Sequence, residues 1–424
     1  MRTDFLKKIK PIYDGVQFGN RVAIFFALLM IYYVVNLFTS DINSGMTGGL
    51  EAEHNVYNQI TATTFTLFVL YHSINTPSKK TYSFVFISAA FLIYLFIRIY
   101  FSYLNLTSNR GLGYFAGFTK MTFWLAGMMF CMKCFRYAKL DEIKHFIRLM
   151  VWVYLIFATY RLITQKAILA QLEISAGINA VGASYMIAPL IVLTFKDKMK
   201  IFLFLYTAFI CIYSAKRQAA AGMAIVTIFC MKDLYQSYFN KQKFLAFLIL
   251  LAAAYFGGGY VYRVFDDLSY RQELTTERGN VDSGRIILWE TALNGFERAD
   301  NTTKWFGGGP GSGQRYIGEY FPIARLPHSS YIQILCDYGY VGLFLFVAFL
   351  LAILAYVVAI KSLDDRLVYL AICFSWIFHC IISHPSSMRF IFLAIGIGLI
   401  CYKQEVNENN EENTVNQRNT PDTA

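Results

Sequence analysis

The sequence predicts an all-α integral membrane protein with about 12 transmembrane helices and one long external loop that contains short amphipathic helices. Of its 424 residues, 56% are hydrophobic and only 15% are charged, whereas soluble domains carry about 25% charged residues. Apolar runs of the length that crosses a bilayer, about 20 residues, recur along most of the chain. One long hydrophilic stretch, residues 264–327, separates two groups of such runs. Together these observations predict one continuous membrane domain.

The apolar runs give twelve candidate spans, and a break is expected in the sixth. The spans lie at 21–39, 57–75, 82–104, 118–135, 146–163, 174–195, 200–215, 218–236, 244–262, 340–360, 367–383 and 387–402. Gly177, Gly182 and Pro189 interrupt the sixth, and such breaks are tolerated where backbone lines a cavity or packs on protein. We assign spans one to nine to residues 1–263, and spans ten to twelve with a re-entry segment to residues 328–403.

The distribution of lysine predicts that both chain termini lie in the cytoplasm. Cytoplasmic loops of membrane proteins are enriched in Lys and Arg. With this orientation most lysines fall in cytoplasmic loops, and the exceptions are Lys120, Lys166, Lys216 and Lys304. The formal net charge of +11 then reflects membrane orientation and contact with anionic lipid rather than nucleic-acid binding.

Two further features are predicted to carry no chemistry. Residues 404–424 are polar and acidic, so we expect a disordered cytoplasmic tail. Cys131 and Cys134 form a CxxC pair, but no second Cys or His pair accompanies it. Because cysteine in an apolar run behaves as a small hydrophobe, we interpret this pair as helical core rather than a metal or redox site.

The external loop, residues 264–327, is rich in arginine. Six arginines lie within it and Arg263 directly precedes it. Long loops translocate largely regardless of charge, but an anionic ligand would favour these cations, and attraction to lipid head groups is the alternative. Within the loop, residues 284–297 carry apolar side chains at helical spacing, which predicts an amphipathic helix.

Three positions are candidates for chemistry, and each has a plainer alternative. Arg217 opens an apolar helix, where a charge suggests function and snorkelling to the interface is the alternative. Arg285 opens the amphipathic helix and would suit phosphate oxygens, or be an ordinary surface arginine. His328 precedes the tenth span, where a neutral imidazole could accept a proton from a sugar hydroxyl, or simply form an interfacial hydrogen bond.

The remaining motifs add a possible cavity lining and exclude other site types. His384 and Arg389 lie in the external connection between the last two spans and are candidates to line the same cavity. The glycine-rich turn at 307–313 lacks the GxxxxGK[ST] pattern and follows no strand, which excludes a nucleotide phosphate loop. No HExxH or carboxylate cluster with metal spacing stands out, so we predict neither a metal nor a cofactor.

The order of these segments resembles the O-antigen ligase and O-antigen polymerase superfamily. The chain carries YSAKRQ at the membrane, then SGRIILWETAL, FGGGPGSG and HSSYIQILCDYGYVG leading into a span. The last segment fits the ligase pattern at His328, Ser329, Gly339 and Gly342. The resemblance covers residues 205–350, and the N-terminal half is similar in hydropathy and layout alone.

The resemblance implies a metal-independent, inverting glycosyltransferase of the bacterial inner membrane, with its active site on the periplasmic face. Its donor would be a glycan linked to undecaprenyl diphosphate. Arg217 and Arg285 would bind the diphosphate, and His328 would activate the acceptor hydroxyl. Ser329 is then a further candidate to line the cavity.

Ligase and polymerase differ in the acceptor. A ligase would transfer O-antigen to a lipid A-core acceptor in lipopolysaccharide biosynthesis, whereas a polymerase would join lipid-linked repeat units of O-antigen or exopolysaccharide. We favour the ligase, because polymerases often have a second large external loop and the segments 40–56 and 105–117 are short. A polysaccharide transporter is the alternative from another class, since Arg217 and the broken sixth span would suit one.

Overall fold

The computed structural model describes residues 21–35, 56–77, 82–104, 111–171, 181–214, 216–239, 285–321, 327–383 and 390–419. Within these ranges all regular secondary structure is helical. Among the helices of these ranges, five are long and apolar enough to cross a membrane. The prediction of an all-helical, multi-pass membrane protein is therefore confirmed. The count of twelve spans remains a prediction, because the ninth span, 244–262, lies outside the described residues.

Fourteen α-helices occur in the described residues, and most match a predicted span. They are α1 (Arg21–Val35), α2 (Val56–Asn75), α3 (Ser83–Leu104), α4 (Gly111–Cys134), α5 (Leu140–Gln171), α6 (Ala188–Thr194), α7 (Asp197–Tyr213), α8 (Arg217–Phe239), α9 (Arg285–Glu297), α10 (Asn301–Phe306), α11 (Ser312–Gly318), α12 (Ser330–Ala355), α13 (Leu363–Ile382) and α14 (Phe390–Asn419).

The second half of α4 lies at the centre of the bundle. Every residue from 122 to 130 is buried, and a helix that is apolar on all sides belongs inside a core. The Trp124 ring lies 5.2 Å from that of Phe349 in α12 and 5.7 Å from that of Trp376 in α13. Cys131 and Cys134 are buried in this helix, in agreement with their interpretation as core.

The sixth predicted span is broken, as its sequence indicated. A 3-10 turn at Ser184–Ile187 leads into α6, which has seven residues and carries Pro189 in its first turn. Almost all of these side chains are buried. The irregular backbone is therefore surrounded by protein, which is the setting in which a broken helix is tolerated at membrane depth.

The prediction of a disordered tail from residue 404 was wrong for most of that segment. Helix α14 continues to Asn419. Its polar extension is held by the rest of the bundle: Arg136 contacts Glu405 at 3.0 Å and Lys361 contacts Glu411 at 2.7 Å. Tyr82 also donates a hydrogen bond to Glu405. These partners are distant in sequence, so the local composition could not reveal them.

We expect that Glu405→Ala destabilises the protein by about 3–5 kcal/mol, because it leaves the guanidinium of Arg136 buried without its carboxylate. The Arg136 side chain is only 6% exposed in this pair. The matched control is Glu411→Ala, which removes an exposed ion pair and should cost about 0–1 kcal/mol. Denaturant unfolding in detergent would measure both, and equal effects would contradict a structural role for the buried pair.

Helix α12 begins ten residues before the predicted span and bends within it. It starts at Ser330 rather than 340, and Gly339 interrupts it with φ +69° and ψ −168°. The rest of α12 and the 3-10 turn Tyr356–Ala359 that follows it together rise about 30 Å, which equals the hydrocarbon thickness of a bilayer. Residues 330–338 therefore form an extra segment at one end of the span, next to His328.

Candidate functional site

In the loop of residues 264–327, which we call the external segment after its predicted location, the described residues begin with α9, which packs on α12. The amphipathic helix predicted at 284–297 is present as Arg285–Glu297. Leu288, Ala292 and Phe296, four residues apart, are buried and lie on one face. The thiol of Cys336 in α12 lies 3.7 Å from the carbonyl of Ala292. This packing places the first turn of α9, with Arg285, at the same end of the bundle as the start of α12.

The glycine turn between α10 and α11 closes onto the kink of α12. The N–H of Gly308 donates to the carbonyl of Cys336 (3.1 Å), and that of Gly309 donates to the carbonyl of Asp337 (3.0 Å). In an unbroken helix those carbonyls accept from the N–H four residues on. The kink at Gly339 frees them, and the turn supplies the donors. We call this contact between the turn and the kink the glycine joint.

Two side chains of α3 hold the glycine joint from the other side. The hydroxyl of Tyr94 donates to the carbonyl of Tyr338 (2.6 Å) and lies 3.0 Å from that of Phe306. The guanidinium of Arg98 donates to the carbonyl of Gly307 (2.5 Å). We did not single out either residue from the sequence. The sequence feature that could have identified this contact is the charge of Arg98, because a charge inside an apolar span is a candidate for function.

Replacing Gly339 by alanine should open the glycine joint. A Cβ at Gly339 would collide with the backbone of Trp305 and Gly307. The backbone conformation at this residue, φ +69° and ψ −168°, is adopted almost only by glycine and adds a cost of about 1–3 kcal/mol. The matched control is Gly311→Ala, because Gly311 has φ +82° but open space around a Cβ. We expect a lower melting temperature and faster proteolysis of the external segment for Gly339→Ala. Equal behaviour of the two variants would mean that the close contact is unimportant.

Asp337 is a structural carboxylate that holds α11. It is buried, and its Oδ1 accepts from the N–H of Gly313 at 3.1 Å, in the first turn of α11. Asp337 is seven residues after Ser330, which corresponds to about 10 Å along the axis of α12. Although Asp337 is near His328 in sequence, this separation argues against a role for its carboxylate in orienting the His328 imidazole.

His328 lies directly before Ser329, the N-cap residue of α12. Its φ is +53°, which is uncommon for a residue other than glycine, although histidine is among the side chains enriched there. Such conformations persist only where the surroundings impose them, and they cluster at functional sites. The indole Nε1 of Trp289 donates to the carbonyl of Pro327 at 2.7 Å. The backbone beside His328 is thereby fixed to α9.

The same hydrogen bond relates Arg285 to His328. Arg285 and Trp289 are four residues apart in α9 and so share one face of the helix. Trp289 touches the residue that precedes His328. Two of the positions singled out from the sequence, 43 residues apart in number, are therefore connected through one turn of α9 and the hydrogen bond between Trp289 and Pro327.

The start of α12 also lies beside the chain that leads to His384. The hydroxyl of Ser330 donates to the carbonyl of Ser383 at 2.8 Å. Ser329 is buried at the N-cap of α12 and makes no capping hydrogen bond with its side chain. His384 and Arg389 lie outside the described residues. Ser383, the residue before His384, therefore contacts Ser330, which follows His328 by two residues.

Helix α8 begins at Arg217, at the end of the bundle where α12 starts. A Cβ at Gly222 would touch the ring of Tyr185, and the Tyr185 hydroxyl lies 2.9 Å from Nδ1 of His379. Since His379 is one turn before Ser383, the first turns of α8 approach the level at which α13 ends. The backbone of Arg217 is thus on the same side as His328. Its side chain is not described.

The two ends of the bundle differ in character. At the end opposite His328, a cavity of about 270 Å³ is lined by apolar side chains together with three lysines and three aspartates, among them Lys200, Asp233 and Asp365. Lys200 pairs with Asp233 at 2.5 Å, and Lys403 pairs with Asp365 at 2.8 Å. Among the described residues, no group of three or more His, Cys, Asp or Glu side chains is arranged to hold a metal.

Comparison with known proteins identifies one domain. Residues 202–347 match the family whose description is O-Antigen ligase. The matched range starts in α7 and ends within α12, so it contains Arg217, Arg285, the glycine joint's turn and His328. No curated protein is significantly similar to the chain.

Proposed function

We propose that the protein transfers a glycan from undecaprenyl diphosphate to a lipid A-core acceptor, as an O-antigen ligase does, because residues 202–347 match the O-antigen ligase family. Enzymes of this family act on lipid-linked glycans and include both ligases and polymerases. The site in this proposal is the end of the bundle where α8, α9 and α12 begin.

The arginines would bind the diphosphate of the donor. Negative charge develops on this leaving group as its bond to the anomeric carbon breaks, and fixed cations stabilise that charge. Guanidinium groups suit the role, because they stay protonated and present paired donors to phosphate oxygens. Arg285 stands in the first turn of α9, where the positive end of the helix adds to its own charge. Arg217 stands at the corresponding position of α8.

His328 would be the general base. A neutral imidazole accepts the proton of the acceptor hydroxyl as that oxygen attacks the anomeric carbon. One direct displacement inverts the configuration of this carbon, and the proton is left on the imidazole while the diphosphate departs on its lipid. The observation that carries the proposal is the Trp289–Pro327 hydrogen bond, because it ties the helix of Arg285 to the backbone of His328.

The location follows from the proposed orientation. If both termini are cytoplasmic, the end of the bundle that carries His328 faces the periplasm. The cavity at the opposite end, whose lining includes Lys144, Lys200 and Lys403, would then face the cytoplasm.

A polymerase is the second candidate, because the family covers both kinds and the donor chemistry is shared. Purified protein in detergent should be mixed with undecaprenyl-diphosphate O-antigen, with lipid A-core, and with both. A product that needs both substrates supports the ligase. Lengthening of the lipid-linked glycan without lipid A-core indicates a polymerase.

The same assay separates enzyme from transporter. No product in any mixture, from protein that is folded by size exclusion and thermal unfolding, would contradict the enzymatic proposal and favour a transporter. The assay should include a variant in which His328 is replaced by alanine. Its matched control is His145→Ala, since His145 is an exposed histidine in the first turns of α5. This variant should retain full activity.

A further inference from the structure

An exposed aromatic surface lies where the external segment meets α12. Trp305 is 58% exposed, and Phe306 beside it in α10 is also exposed. The ring of Trp305 packs edge-on against Tyr340 of α12 at 5.6 Å, and Tyr340 is itself exposed. We call these three side chains the aromatic surface. Large apolar side chains grouped on a surface mark a site of interaction.

The aromatic surface continues into the side of α12 that faces away from the protein. Tyr340, Phe344, Val347 and Leu351 are all exposed, and Phe344 is 71% exposed. Their spacing of four, three and four residues places them on one face of the helix. Because α12 is one of the candidate membrane spans, this face contacts lipid. Trp305 extends the same face beyond the beginning of the span.

The level of Trp305 along α12 corresponds to the edge of the hydrocarbon layer. The part of the span that follows the kink, residues 340–359, rises about 30 Å, the thickness of the layer. The backbone of Trp305 lies directly against Gly339, the residue at which that part begins. Tryptophan and tyrosine are enriched at this depth, where an apolar ring meets a polar head-group region.

The polar residues of α10 fit the same position. Asp300 caps the helix: its Oδ1 accepts from the N–H of Thr303 at 3.0 Å and its Oδ2 accepts from the Thr303 hydroxyl at 2.7 Å. These hydrogen bonds lower the pKa of the Asp300 carboxyl. Lys304, beside Trp305, is long enough to place its ammonium among lipid phosphates.

We propose that α10 rests on the bilayer, with Trp305 and Phe306 inserted at the boundary between head groups and acyl chains. The partner is the phospholipid surface. Because Phe306 leads into the glycine joint, this contact sets the depth of the external segment relative to the membrane. The inference does not depend on glycan transfer.

Spin labelling tests the depth of the aromatic surface. All eight native cysteines are buried, so a nitroxide should label an introduced exposed cysteine selectively. Trp305→Cys and Phe306→Cys would be labelled in the full-length protein, in vesicles of phosphatidylethanolamine and phosphatidylglycerol. Phe344→Cys is the lipid reference, and Glu319→Cys, exposed on the external segment, is the water reference. Collision with oxygen reports lipid, and collision with a water-soluble nickel chelate reports water.

We expect the oxygen-to-nickel accessibility ratio at 305 and 306 to be several-fold above that at 319 and to approach the value at 344. A ratio equal to that at 319 would overturn the proposal, because the surface would then face water. Low accessibility to both reagents would also overturn it, since that outcome indicates a protein partner. If Trp305→Cys disturbs the fold, Phe306→Cys retains Trp305 and gives the same test.

Discussion

Replacing His328 by alanine should reduce glycan transfer by about 100-fold or more while the protein stays folded, because a positioned general base contributes a factor of this size. Because His328 has φ +53°, replacement by alanine removes the base and also changes the preference of the backbone for this conformation. His328→Asn separates the two effects, since asparagine tolerates the left-handed region but cannot accept the proton as imidazole does. We expect both variants to lose activity equally.

The measurement is the initial rate of transfer at saturating donor and acceptor, beside the melting temperature in the same detergent. Activity retained by His328→Asn and lost by His328→Ala would contradict the base and assign His328 a conformational role. Loss in both variants with an unchanged melting temperature would support the base.

Replacing Arg285 by alanine should lower kcat by about 100-fold or more, because removing one fixed donor from a developing charge costs about this much. Arg285→Lys should fall between alanine and the wild type, since lysine keeps the charge but loses the planar pair of donors. The matched control is Arg298→Ala. Arg298 is exposed on the same segment and packs over the Tyr320 ring at 5.2 Å, so its loss should leave kcat unchanged.

Steady-state kinetics with the lipid-linked donor varied at fixed acceptor would test the assignment. An effect confined to KM for the acceptor would place Arg285 at the acceptor rather than at the diphosphate. An equal loss of kcat in Arg285→Ala and Arg298→Ala would instead indicate that activity depends on the net positive charge of the segment. It would contradict a specific contact of Arg285 with the diphosphate.

The sequence alone predicted those parts of the fold that depend on local patterns. Apolar runs located most of the described helices, because a helix in a bilayer must satisfy its backbone internally and cover it with apolar side chains. The start of α9 was predicted within one residue of Arg285, since helical spacing of apolar residues is a local property. The broken sixth span followed from its glycines and Pro189 for the same reason.

The candidate site was predictable as a set of residue types in order, but not as an arrangement. The family pattern named His328, Arg285 and Arg217, and the structure connects the first two through Trp289 and Pro327. No local pattern indicates that an indole will bond a carbonyl 38 residues away. The closeness of the Ser383 carbonyl to Ser330 is likewise a contact over 53 residues.

Three features were decided by tertiary structure. Helix α12 begins before its apolar run because α9 and α11 bury its first turns, including Cys336 and Asp337. The helix α14 continues past residue 404 because the buried guanidinium of Arg136 binds the carboxylate of Glu405. The glycine joint forms because Arg98 and Gly307, 209 residues apart, meet across the bundle. Hydropathy and helical spacing are properties of neighbours in the chain, and they determined the class and the helices of this protein. Hydrogen bonds between distant segments depend on how those helices pack, and they determined the shape of its site.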